Sequence, residues 1–568
     1  MPYVDVVEGL EPGMALPGLP SLSQRRVLTK LRVGRMMRGD RHRYKPERIT
    51  CVVREHSKFK VRLLNFSSGR PLVVIDDEAA KSLGVRPHER LVLRWRGREV
   101  VAIVNVAWHI PPNTMLVNDE VAEELGVRGG EEVEAEVAPP PRSLRYIRDL
   151  LGGARLGYEE IKCIIKDIVE DRLSEVELAA LVTAISQRGM GVDEAYYFSR
   201  AMVETGETLD LGVKPILDKH SIGGVPGDKT TLIVVPIIAS LGYYIPKTSS
   251  RAITSPAGTA DRAEVLMPVE LTPEEVKEVV LKVHGCIAWG GALHMAPADD
   301  KIIRVEYPLA IDPFLVPSIM AKKRAVGATH VVIDIPVGRG AKVKTIGEAH
   351  YLAKEIMEVG RRLGMEVACA LTVGEQPIGY AAGPALEARE ALYTLMGRGP
   401  PDLLDKATSI AGILLEMVGV KGGRQVALES LRRGKALEKM REIIAAQGGD
   451  PSIKPEEILV GSERLTIRAE KAGMITWINN AVIATIARLA GAPKDKGAGV
   501  ELHVKIGDKV SRGTPLMTVY SEHAVKLQAV EEYLSEVTPI GVGKPGTEML
   551  IRSLLAPVLH ERPTVLER

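Results

Sequence analysis

From about residue 214, strand-like segments alternate with helix-like segments, and this alternation constrains the fold more than any other feature. The segment HVVIDIPVG (330–338) is apolar enough for a buried strand, and MEVACALTV (365–373) predicts another. The segments around them, TTLIVVPIIASLG, TPEEVKEVVLKVHG and GEAHYLAKEIMEVGRRLG, are typical of helices. Alternation of this kind predicts a parallel α/β sheet with helices packed on it.

The segment before the α/β region is predicted to be helical. In GYEEIKCIIKDIVEDRL, four isoleucines recur at the spacing of one helix face: Ile161, Ile164, Ile165 and Ile168. Ser174, with Glu177 at the third position after it, has the pattern of a capping box that opens the next helix. A further helix is predicted through DEAYYFSRAMVET, which stops at Gly206.

Both ends of the chain differ from this centre. Short runs such as KFKVRLLNF and VVAIVNVAW, broken by turn residues, predict a small β-rich domain that ends at Pro139-Pro140-Pro141. Short strands with glycine turns return near residue 452. Residues 1–55 mix Gly-Pro breakers with a basic run, so we expect a disordered extension or a start codon assigned too early.

A chain of 568 residues is too long for one hydrophobic core. The sequence predicts a helical domain and an α/β domain, with a further β-rich domain at each end. The expected bounds are 1–55 for the extension, 56–140 for the N-terminal β-rich domain, 141–213 plus 297–327 for the helical domain, 214–296 plus 328–445 for the α/β domain, and 452–568 for the C-terminal α+β domain.

The composition argues against several classes of protein. Lys plus Arg number 75 and Asp plus Glu 73, a formal net charge of +2, whereas proteins that coat nucleic acid are basic. The four cysteines are scattered without a CxxC pair, which argues against a disulfide framework or zinc site and for a reducing cytoplasm. No apolar run has the length of a membrane span, and the N-terminus lacks a signal pattern. We therefore expect a cytoplasmic protein without nucleic-acid or membrane partners.

The segment KHSIGGVPGDKT (219–230) has the composition of a phosphate-binding loop. Backbone N–H groups can approach an anion at its three glycines, Gly223, Gly224 and Gly227. A helix expected from about Asp228 adds its positive end. The Walker pattern GxxxxGK[ST] is not met, because Asp228 separates the last glycine from Lys229. From this segment alone, an anion site and a plain glycine-rich turn both remain open.

A second polar segment, SSRAITSPAGTAD (249–261), follows the strand-like run YYIPKTS. It therefore lies at the carboxyl end of a strand, where α/β sheets bind ligands. Its hydroxyl and cationic side chains, with one more in the helix that follows, are Ser249, Ser250, Arg251, Thr254, Ser255, Thr259 and Arg262. Two such loops after consecutive strands favour an anion-binding site over two unrelated surface loops.

Together the two segments resemble the signature pair of the thymidine and pyrimidine nucleoside phosphorylases. In that family the first motif is roughly KHSTGGVGD, and the second has an S-x-R core followed by GT-x-D-x-x-E. The matching residues here are Ser249, Arg251, Gly258, Thr259, Asp261 and Glu264. The resemblance runs from about residue 145 to the C-terminus. It implies a type II nucleoside phosphorylase fold, in which the substrate cleft lies between a helical domain and an α/β domain.

Three departures from that pattern resemble the archaeal AMP phosphorylase branch of the family. They are an additional Pro226 in the first loop, AITSPAGTAD in place of a glycine-rich stretch, and the added N-terminal β-rich domain. The resemblance implies reversible phosphorolysis of nucleoside 5′-monophosphates (AMP, also CMP and UMP) to free base and ribose 1,5-bisphosphate. Inorganic phosphate would be a co-substrate, and no metal or other cofactor is expected. A homodimer or larger homo-oligomer is implied.

The resemblance also assigns roles to individual residues. The attacking phosphate would bind at Lys219, Ser221, Ser249 and Thr259. The nucleotide would contact Gly224, Ser250, Arg251, Ala252, Ile253, Thr254, Ser255, Thr259, Ser318 and Lys342. Asp312 matches the general acid that protonates the departing base. Arg304 and Lys322 match cationic groups on the base side of thymidine phosphorylases.

Alternative functions remain open on the sequence. A thymidine or pyrimidine nucleoside phosphorylase would share both motifs. A magnesium-dependent phosphoribosyltransferase would use an acid pair such as Asp299-Asp300, which otherwise begins a helix. A nucleotide-binding regulatory or scaffold protein would bind at the same loops without turnover. The segment VELHVKIGDKVSRGTPLMTV (500–519) resembles a biotinyl-carrier hammerhead but lacks a Lys flanked by Met, so a structural module is expected.

Overall fold

The computed structural model describes residues 57–252 and 255–544. The chain divides into two compact units, Met1–Pro139 and Pro140–Arg568. The predictions made for residues 1–55, and those for Ile253 and Thr254, lie outside the described residues. In the described ranges, no helix combines the length and apolar character needed to cross a membrane.

The first unit is a closed six-stranded barrel with two short helices. Its elements are β1 (Ser57–Leu63), β2 (Leu72–Asp76), α1 (Asp77–Leu83), β3 (Arg90–Trp95), β4 (Arg98–Ala107), β5 (Thr114–Val117), α2 (Asp119–Leu125) and β6 (Glu132–Val137). The barrel order is β1-β5-β2-β4-β3-β6. Alternate side chains such as Val73, Leu91 and Val104 are fully buried, because successive residues of a strand point to opposite faces.

Two strand–helix segments of the barrel repeat the same local structure. The Asp76 side chain accepts the Glu78 N–H at the start of α1, and the Asn118 side chain accepts the Val121 N–H at the start of α2. Both helices end at a glycine with positive φ, Gly84 at 73° and Gly126 at 75°. Similar sequences, VVIDDEAAKSLGV and MLVNDEVAEELGV, produce both segments.

The second unit begins with helices and continues as an α/β region. Its first part contains α3 (Ser143–Leu151), α4 (Tyr158–Val169), α5 (Glu175–Arg188), α6 (Val192–Glu204), β7 (Leu217–Ser221), α7 (Thr231–Ser240), β8 (Ile245–Ser249), α8 (Thr259–Ala263), α9 (Pro273–Val283) and β9 (Gly285–Trp289). A 3₁₀ turn follows at Gly290–Leu293. The next part contains α10 (Pro297–Leu309), α11 (Leu315–Ala325), β10 (His330–Val337), α12 (Ile346–Arg362), β11 (Glu366–Val373), β12 (Ala381–Ala382), α13 (Pro384–Leu395), α14 (Pro401–Met417), α15 (Gly423–Arg432) and α16 (Lys435–Ala446).

The parallel sheet predicted for the α/β region is confirmed. Strand β10 lies between β11 and β7, and β8 pairs with β9, all in parallel. An isolated parallel bridge between Ile216 and Tyr244 joins the two groups, and the Leu217 N–H donates to the Tyr244 carbonyl at 2.9 Å. The carboxyl ends of β7 and β8 therefore lie side by side at one edge of the sheet.

Helices α3–α6, α10 and α11 share their own hydrophobic core. The four isoleucines predicted for one face of α4 are all buried, which confirms the periodicity argument. The capping box is also confirmed, since the Ser174 N–H donates to Glu177 at 2.7 Å and the Glu177 N–H donates to the Ser174 hydroxyl at 3.3 Å. Asp299 and Asp300 lie in the first turn of α10, as expected for an acid pair that begins a helix.

One helix begins later than the sequence suggests. Helix α7 starts at Thr231, whereas the expected start was near Asp228. The Asp228 carboxylate accepts the Thr230 N–H at 3.3 Å, and this local side-chain turn competes with the helical conformation.

The C-terminal part consists of short strands and two helices that share a hydrophobic core. Its elements are a 3₁₀ turn at Pro455–Glu457, β13 (Glu463–Arg468), β14 (Gly473–Ile478), α17 (Asn480–Leu489), β15 (Gly499–Leu502), β16 (Lys509–Val510), β17 (Pro515–Ser521), α18 (Ala524–Glu536) and β18 (Ile540–Gly543). The strands form two sheets, β12-β15-β17-β13 and β16-β14-β18. The predicted fold class, a helical and an α/β domain flanked by β-rich domains, is confirmed.

Candidate active site

Strand β7 carries the first group of predicted phosphate ligands. Lys219 and Ser221 point to the same side of the sheet, because side chains alternate along a strand. Lys219 Nζ donates to Thr231 Oγ1 at 3.2 Å and lies 3.9 Å from Asp228 Oδ2. Ser221 Oγ donates to Asp334 Oδ2 at 2.8 Å. The strand end thus presents an ammonium and a hydroxyl beside the glycine-rich loop.

Asp334, on the central strand β10, organises this corner of the sheet. In addition to Ser221, it accepts a hydrogen bond from Thr372 Oγ1 at 2.6 Å and lies 2.7 Å from Lys406 Nζ on α14. Its side chain is fully buried. The sequence analysis missed Asp334 and Lys406, since a carboxylate within an apolar strand and a lysine on a distant helix carry no local motif.

Burial and neighbouring charges shift the pKa values of the ionisable groups around the first loop in opposite directions. Burial lowers the pKa of Lys219, although Asp228 and Asp334 favour its charged form. Burial would raise the pKa of Asp228, but the ammonium groups of Lys219 and Lys406 hold it well below its usual range. The same two carboxylates raise the pKa of Lys406 in spite of its burial. Asp228 therefore stays ionised near these two lysines.

Positive φ favours glycine at three positions of the first loop, and close contacts exclude a side chain at two of them. Gly223, Gly224 and Gly227 have φ of 85°, 88° and 76°. A Cβ at Gly224 would lie 2.4 Å from the backbone N of Lys342, and one at Gly227 would lie 2.5 Å from the Ala381 carbonyl oxygen. The loop is thus packed against two other backbone segments, and no side chain fits between them.

Lys229, the residue at the Walker lysine position, has a structural role. Its side chain is completely buried, and Nζ donates to the carbonyls of Ile378 at 3.0 Å and Ala381 at 2.9 Å. It also forms an ion pair with Glu390. These contacts direct the ammonium into the 376–382 loop. The sequence does not fit the Walker pattern, and the structure agrees, because Lys229 binds carbonyls and a carboxylate of the chain itself.

The second loop leaves β8 at Ser249 and enters α8 at Thr259. The carboxylate of Asp261 holds its two sides together by accepting the N–H groups of Ala252 at 2.7 Å and Gly258 at 2.8 Å. A Cβ at Gly258 would lie 2.6 Å from the Ala252 nitrogen, so only glycine permits this approach. Ser249, the half-buried last residue of β8, is followed by the exposed Ser250, and Ser255 donates to the Ala257 carbonyl at 3.2 Å.

Arg251 points to carboxylates of the chain itself. Its guanidinium donates to Glu264 at 2.6 and 2.9 Å and to Glu270 at 2.8 Å, and it lies over the Trp289 ring at 4.9 Å. This hydrogen bonding lowers the pKa of Glu264 to about 2, with help from Lys496 of the C-terminal part. The side chain of Arg251 therefore fixes the shape of the second loop.

Arg262 connects the two loops. Its guanidinium donates to the carbonyl of Ala257 in the second loop at 2.6 Å and to the carbonyl of Asp228 in the first. Its Nε lies 3.2 Å from Glu387 Oε2, and both side chains are buried. Because a buried ion pair with several hydrogen bonds tolerates little movement, the two loops form one surface.

Helix α11 brings the predicted base-side residues to the opposite face of β7. Lys323 Nζ lies 2.7 Å from the buried carboxylate of Asp218, which fixes α11 to the strand. One turn of helix separates Ser318 and Lys322, with Lys322 Nζ 3.5 Å from Ser318 Oγ. Lys322 Nζ also lies 2.5 Å from Asp299 Oδ2, which raises the pKa of Lys322 although burial acts against it.

His220, which the sequence analysis left without a role, lies on this same face of β7. Burial lowers its pKa well below the usual value, and the nearby ammonium groups of Lys323 and Lys247 add to the shift. The imidazole is therefore neutral near pH 7. Its position between two predicted phosphate ligands in KHS is the only signal that marks it in the sequence.

Asp312, from the helical part of the second unit, forms an ion pair with Lys342, from its α/β part. Asp312 lies in the turn between α10 and α11, and Lys342 lies in the loop after β10. Lys342 Nζ is 2.7 Å from Asp312 Oδ2. Since the backbone of Lys342 also contacts Gly224, this pair adjoins the first loop. Arg304 is exposed on α10.

The structure thus brings most of the predicted site residues to one edge of the sheet. They form two clusters. The first consists of ammonium, hydroxyl and backbone N–H groups around the ends of β7 and β8. The second consists of the Asp312 carboxylate and further cations on the α10–α11 side. An arrangement of this kind can bind anions and supply or accept a proton within one cleft.

Family models match three segments of the second unit. The descriptions are "Glycosyl transferase family, helical bundle domain" for residues 144–206, "Glycosyl transferase family, a/b domain" for residues 213–437, and "Pyrimidine nucleoside phosphorylase C-terminal domain" for residues 474–541. Together with the two-loop site, they define a glycosyltransferase of the nucleoside phosphorylase class.

Curated relatives match almost the whole described chain. An AMP phosphorylase of Thermofilum pendens is 54% identical over 513 residues, which cover 90% of this chain and 100% of that protein. AMP phosphorylases of Thermococcus kodakarensis and Methanosarcina barkeri are 47% and 48% identical over 85% of this chain and 98% and 97% of their own length. The chain belongs to the AMP phosphorylase family.

Proposed function

We propose that this chain catalyses the phosphorolysis of AMP, and of CMP and UMP, to free base and α-D-ribose 1,5-bisphosphate. The observation that carries the proposal is the joining of two anion-type loops at adjacent strand ends through Arg262. In the proposal this surface binds two phosphate groups, one free and one carried by a nucleotide. The relatives named AMP phosphorylases support the same activity.

The first phosphate is the nucleophile in this proposal. Lys219, Ser221, Ser249 and Thr259 would hold it at the ends of β7 and β8. Backbone N–H groups at the positive-φ glycines add donors without the cost of desolvating further charges. Bound in this way, phosphate can attack C1′ of the ribose in line with the departing base, and the reaction gains chiefly from proximity and orientation.

The second phosphate is the 5′-phosphate of the substrate. Residues Ser250–Ser255 and Gly224 would surround it, with hydroxyl and backbone donors in the second loop. We assign the side chain of Arg251 to the support of this loop, since it already binds Glu264 and Glu270. The loop backbone that Arg251 shapes is then the part that contacts the nucleotide.

The base leaves toward the α10–α11 side. Asp312 is the proposed general acid, and Lys342, its ion-pair partner at 2.7 Å, also contacts the nucleotide. Ser318 lies on the same side and would hydrogen-bond the base, with Lys322 and Arg304 as further polar groups. His220, neutral and on the same face of β7, completes this side of the cleft.

We propose that the reaction needs no metal or organic cofactor. The attacking anion is supplied ready-made, and the same anion stabilises the positive charge that develops on the ribosyl group. We also propose a homodimer or larger assembly in the cytoplasm, by analogy with the family that the sequence resembles. Turnover in the presence of a chelator tests the first of these statements, and light scattering of the purified chain tests the assembly.

Incubation of the full chain with AMP and inorganic phosphate, followed by chromatography for free adenine, tests the activity. We expect adenine only when phosphate is present, with equal yield in EDTA. Adenosine and thymidine serve as matched substrates without a 5′-phosphate. Release of base from these nucleosides but not from AMP would contradict the proposal and favour a pyrimidine nucleoside phosphorylase. Binding of AMP without any release would indicate a nucleotide-binding protein.

A further inference from the structure

A buried glutamate lies next to the proposed general acid and has no role in the function described so far. Glu306 is in the last turns of α10 and is 5% exposed. Carboxylates are rarely buried to this degree without a cationic partner, because removal from water disfavours the charged form. The charged groups that act on Glu306 are Asp312 in the α10–α11 turn, Lys342 in the loop after β10, and Asp299 on the same helix.

Glu306 holds both ends of the turn that carries Asp312. Its Oε1 accepts the Phe314 N–H at 3.1 Å, at the end of the turn. Its backbone carbonyl accepts the Ile311 N–H at 3.3 Å, at the start. Between Glu306 and Ile311 the chain passes through Ala310 with φ of 52°, a left-handed conformation that costs energy in a residue with a side chain. Because these two contacts lie on either side of Asp312, the position of Asp312 depends on that of Glu306.

The protonation state of Glu306 is set by the same surroundings. Burial raises its pKa to about 8, and the negative charges of Asp312 and Asp299 act in the same direction. The Phe314 N–H and the ammonium of Lys342 oppose this shift. Near pH 7 the carboxyl is therefore mainly protonated, and it titrates just above neutrality.

We propose that Glu306 is a positioning residue for Asp312: as a neutral carboxyl it fixes the 310–314 turn, and as a carboxylate it competes with Asp312 for Lys342. The inference rests on the proposed function only in that Asp312 acts on the substrate. In this inference, the charge of Glu306 decides whether Lys342 Nζ stays 2.7 Å from Asp312 Oδ2. Glu306 makes no contact with the reacting atoms in this proposal.

Two substitutions separate the charge of Glu306 from its hydrogen bond. In the wild type we expect kcat to fall above neutral pH, as Glu306 ionises. Glu306→Gln keeps an oxygen for the Phe314 N–H but cannot ionise, so this fall should disappear. Glu306→Ala removes the acceptor as well and should lower kcat roughly 10- to 100-fold through misplacement of Asp312, with the KM for AMP changed much less. Profiles of kcat against pH from about 6 to about 9.5 give both readouts.

A matched control is available on α12. Burial also raises the pKa of Glu355, on α12. Glu355→Gln should therefore retain the alkaline fall in kcat that Glu306→Gln loses. If Glu306→Gln retains this fall and Glu306→Ala keeps the wild-type kcat, the proposed positioning role is wrong.

Thermal unfolding gives a test that does not depend on activity. A group whose pKa is raised from 4.5 to about 8 on folding stabilises the protein fully below 4.5, and this stabilisation is lost as the pH rises through 8. The Tm of the wild type should therefore fall relative to that of Glu306→Gln between about pH 5 and about pH 8, and the difference should then stay level. A constant Tm difference would overturn the inference. A changing Tm difference in a chain without AMP phosphorolysis would instead refute only the proposed function.

Discussion

Lys342 Nζ lies 2.7 Å from Asp312 Oδ2, and this ion pair joins the α10–α11 turn to the loop that follows β10. Both side chains are partly exposed, 44% for Lys342 and 39% for Asp312, so solvent screens the pair and its net contribution to stability is small. The backbone of Lys342 also adjoins Gly224. The pair therefore lies where the proposed nucleotide loop and the proposed general acid meet, and a bound nucleotide can exchange one partner for another at little cost.

Replacement of Asp312 by Asn should abolish the supply of a proton to the departing base. The side chain keeps its size, so we expect kcat for AMP to fall by about 10²–10⁴-fold while the KM for phosphate changes little. Steady-state kinetics in the direction of adenine release measure both values. Asp405→Asn is the matched control, because Asp405 is an exposed aspartate that pairs with Arg424 away from the cleft. An Asp312→Asn enzyme with wild-type kcat would exclude Asp312 as the general acid.

Neighbouring glycines of the first loop offer a controlled test of close packing. Gly223 and Gly224 have nearly equal φ, 85° and 88°, so alanine at either position costs about 1–2 kcal/mol in backbone strain. Only at Gly224 would the new Cβ meet another backbone, the Lys342 nitrogen at 2.4 Å, whereas at Gly223 nothing lies within 4 Å. Gly224→Ala should therefore raise the KM for AMP well above the value for Gly223→Ala. Equal effects in the two variants would show that the contact with the Lys342 loop is unimportant.

The parts of the fold that depend on local patterns were predictable from the sequence. The isoleucine face of α4, the capping box at Ser174 and the strands β10 and β11 all follow from spacing within a few residues. The two loops were found for the same reason, since each is a continuous run of glycine and hydroxyl residues after a strand. Their roles still depend on resemblance, and the domain bounds and site assignments stay predictions.

The parts that sequence reasoning missed depend on contacts between distant segments. Asp334 and Lys406 meet beneath the first loop only because α14 packs on the sheet. Arg262 was grouped with the anion-binding side chains, but it donates to carbonyls of both loops and pairs with Glu387, and so acts as a structural link. Glu306 becomes buried only when α10 packs into the helical core. No periodicity or motif within reach of these residues indicates such contacts.

Removal of the Ser221 hydroxyl should weaken phosphate binding selectively. Ser221 Oγ donates to Asp334 and lies at the end of β7, beside Lys219. Because a hydrogen bond to a charged group contributes about 1.5–3 kcal/mol, Ser221→Ala should raise the KM for phosphate by roughly 10-fold or more. The KM for AMP should change less, which initial rates at varied phosphate and fixed AMP will show. The matched control is Ser240→Ala, since Ser240 pairs with Ser430 at the far end of α7. A rise in the KM for AMP alone would place Ser221 on the nucleotide side.

Lys229 should contribute to stability and loop closure more than to catalysis. Its ammonium is completely buried among the Ile378 and Ala381 carbonyls and the Glu390 carboxylate, so Lys229→Met leaves a buried charge and two carbonyls without a donor. Breaking a buried pair in this way costs about 3–5 kcal/mol, which we expect to see as a lower midpoint in chemical unfolding. Lys166→Met is the matched control, because Lys166 is 65% exposed and its pair with Glu170 should contribute at most about 1 kcal/mol. If Lys229→Met unfolds at the wild-type midpoint but loses turnover, the ammonium serves the reaction directly and its proposed structural role is wrong.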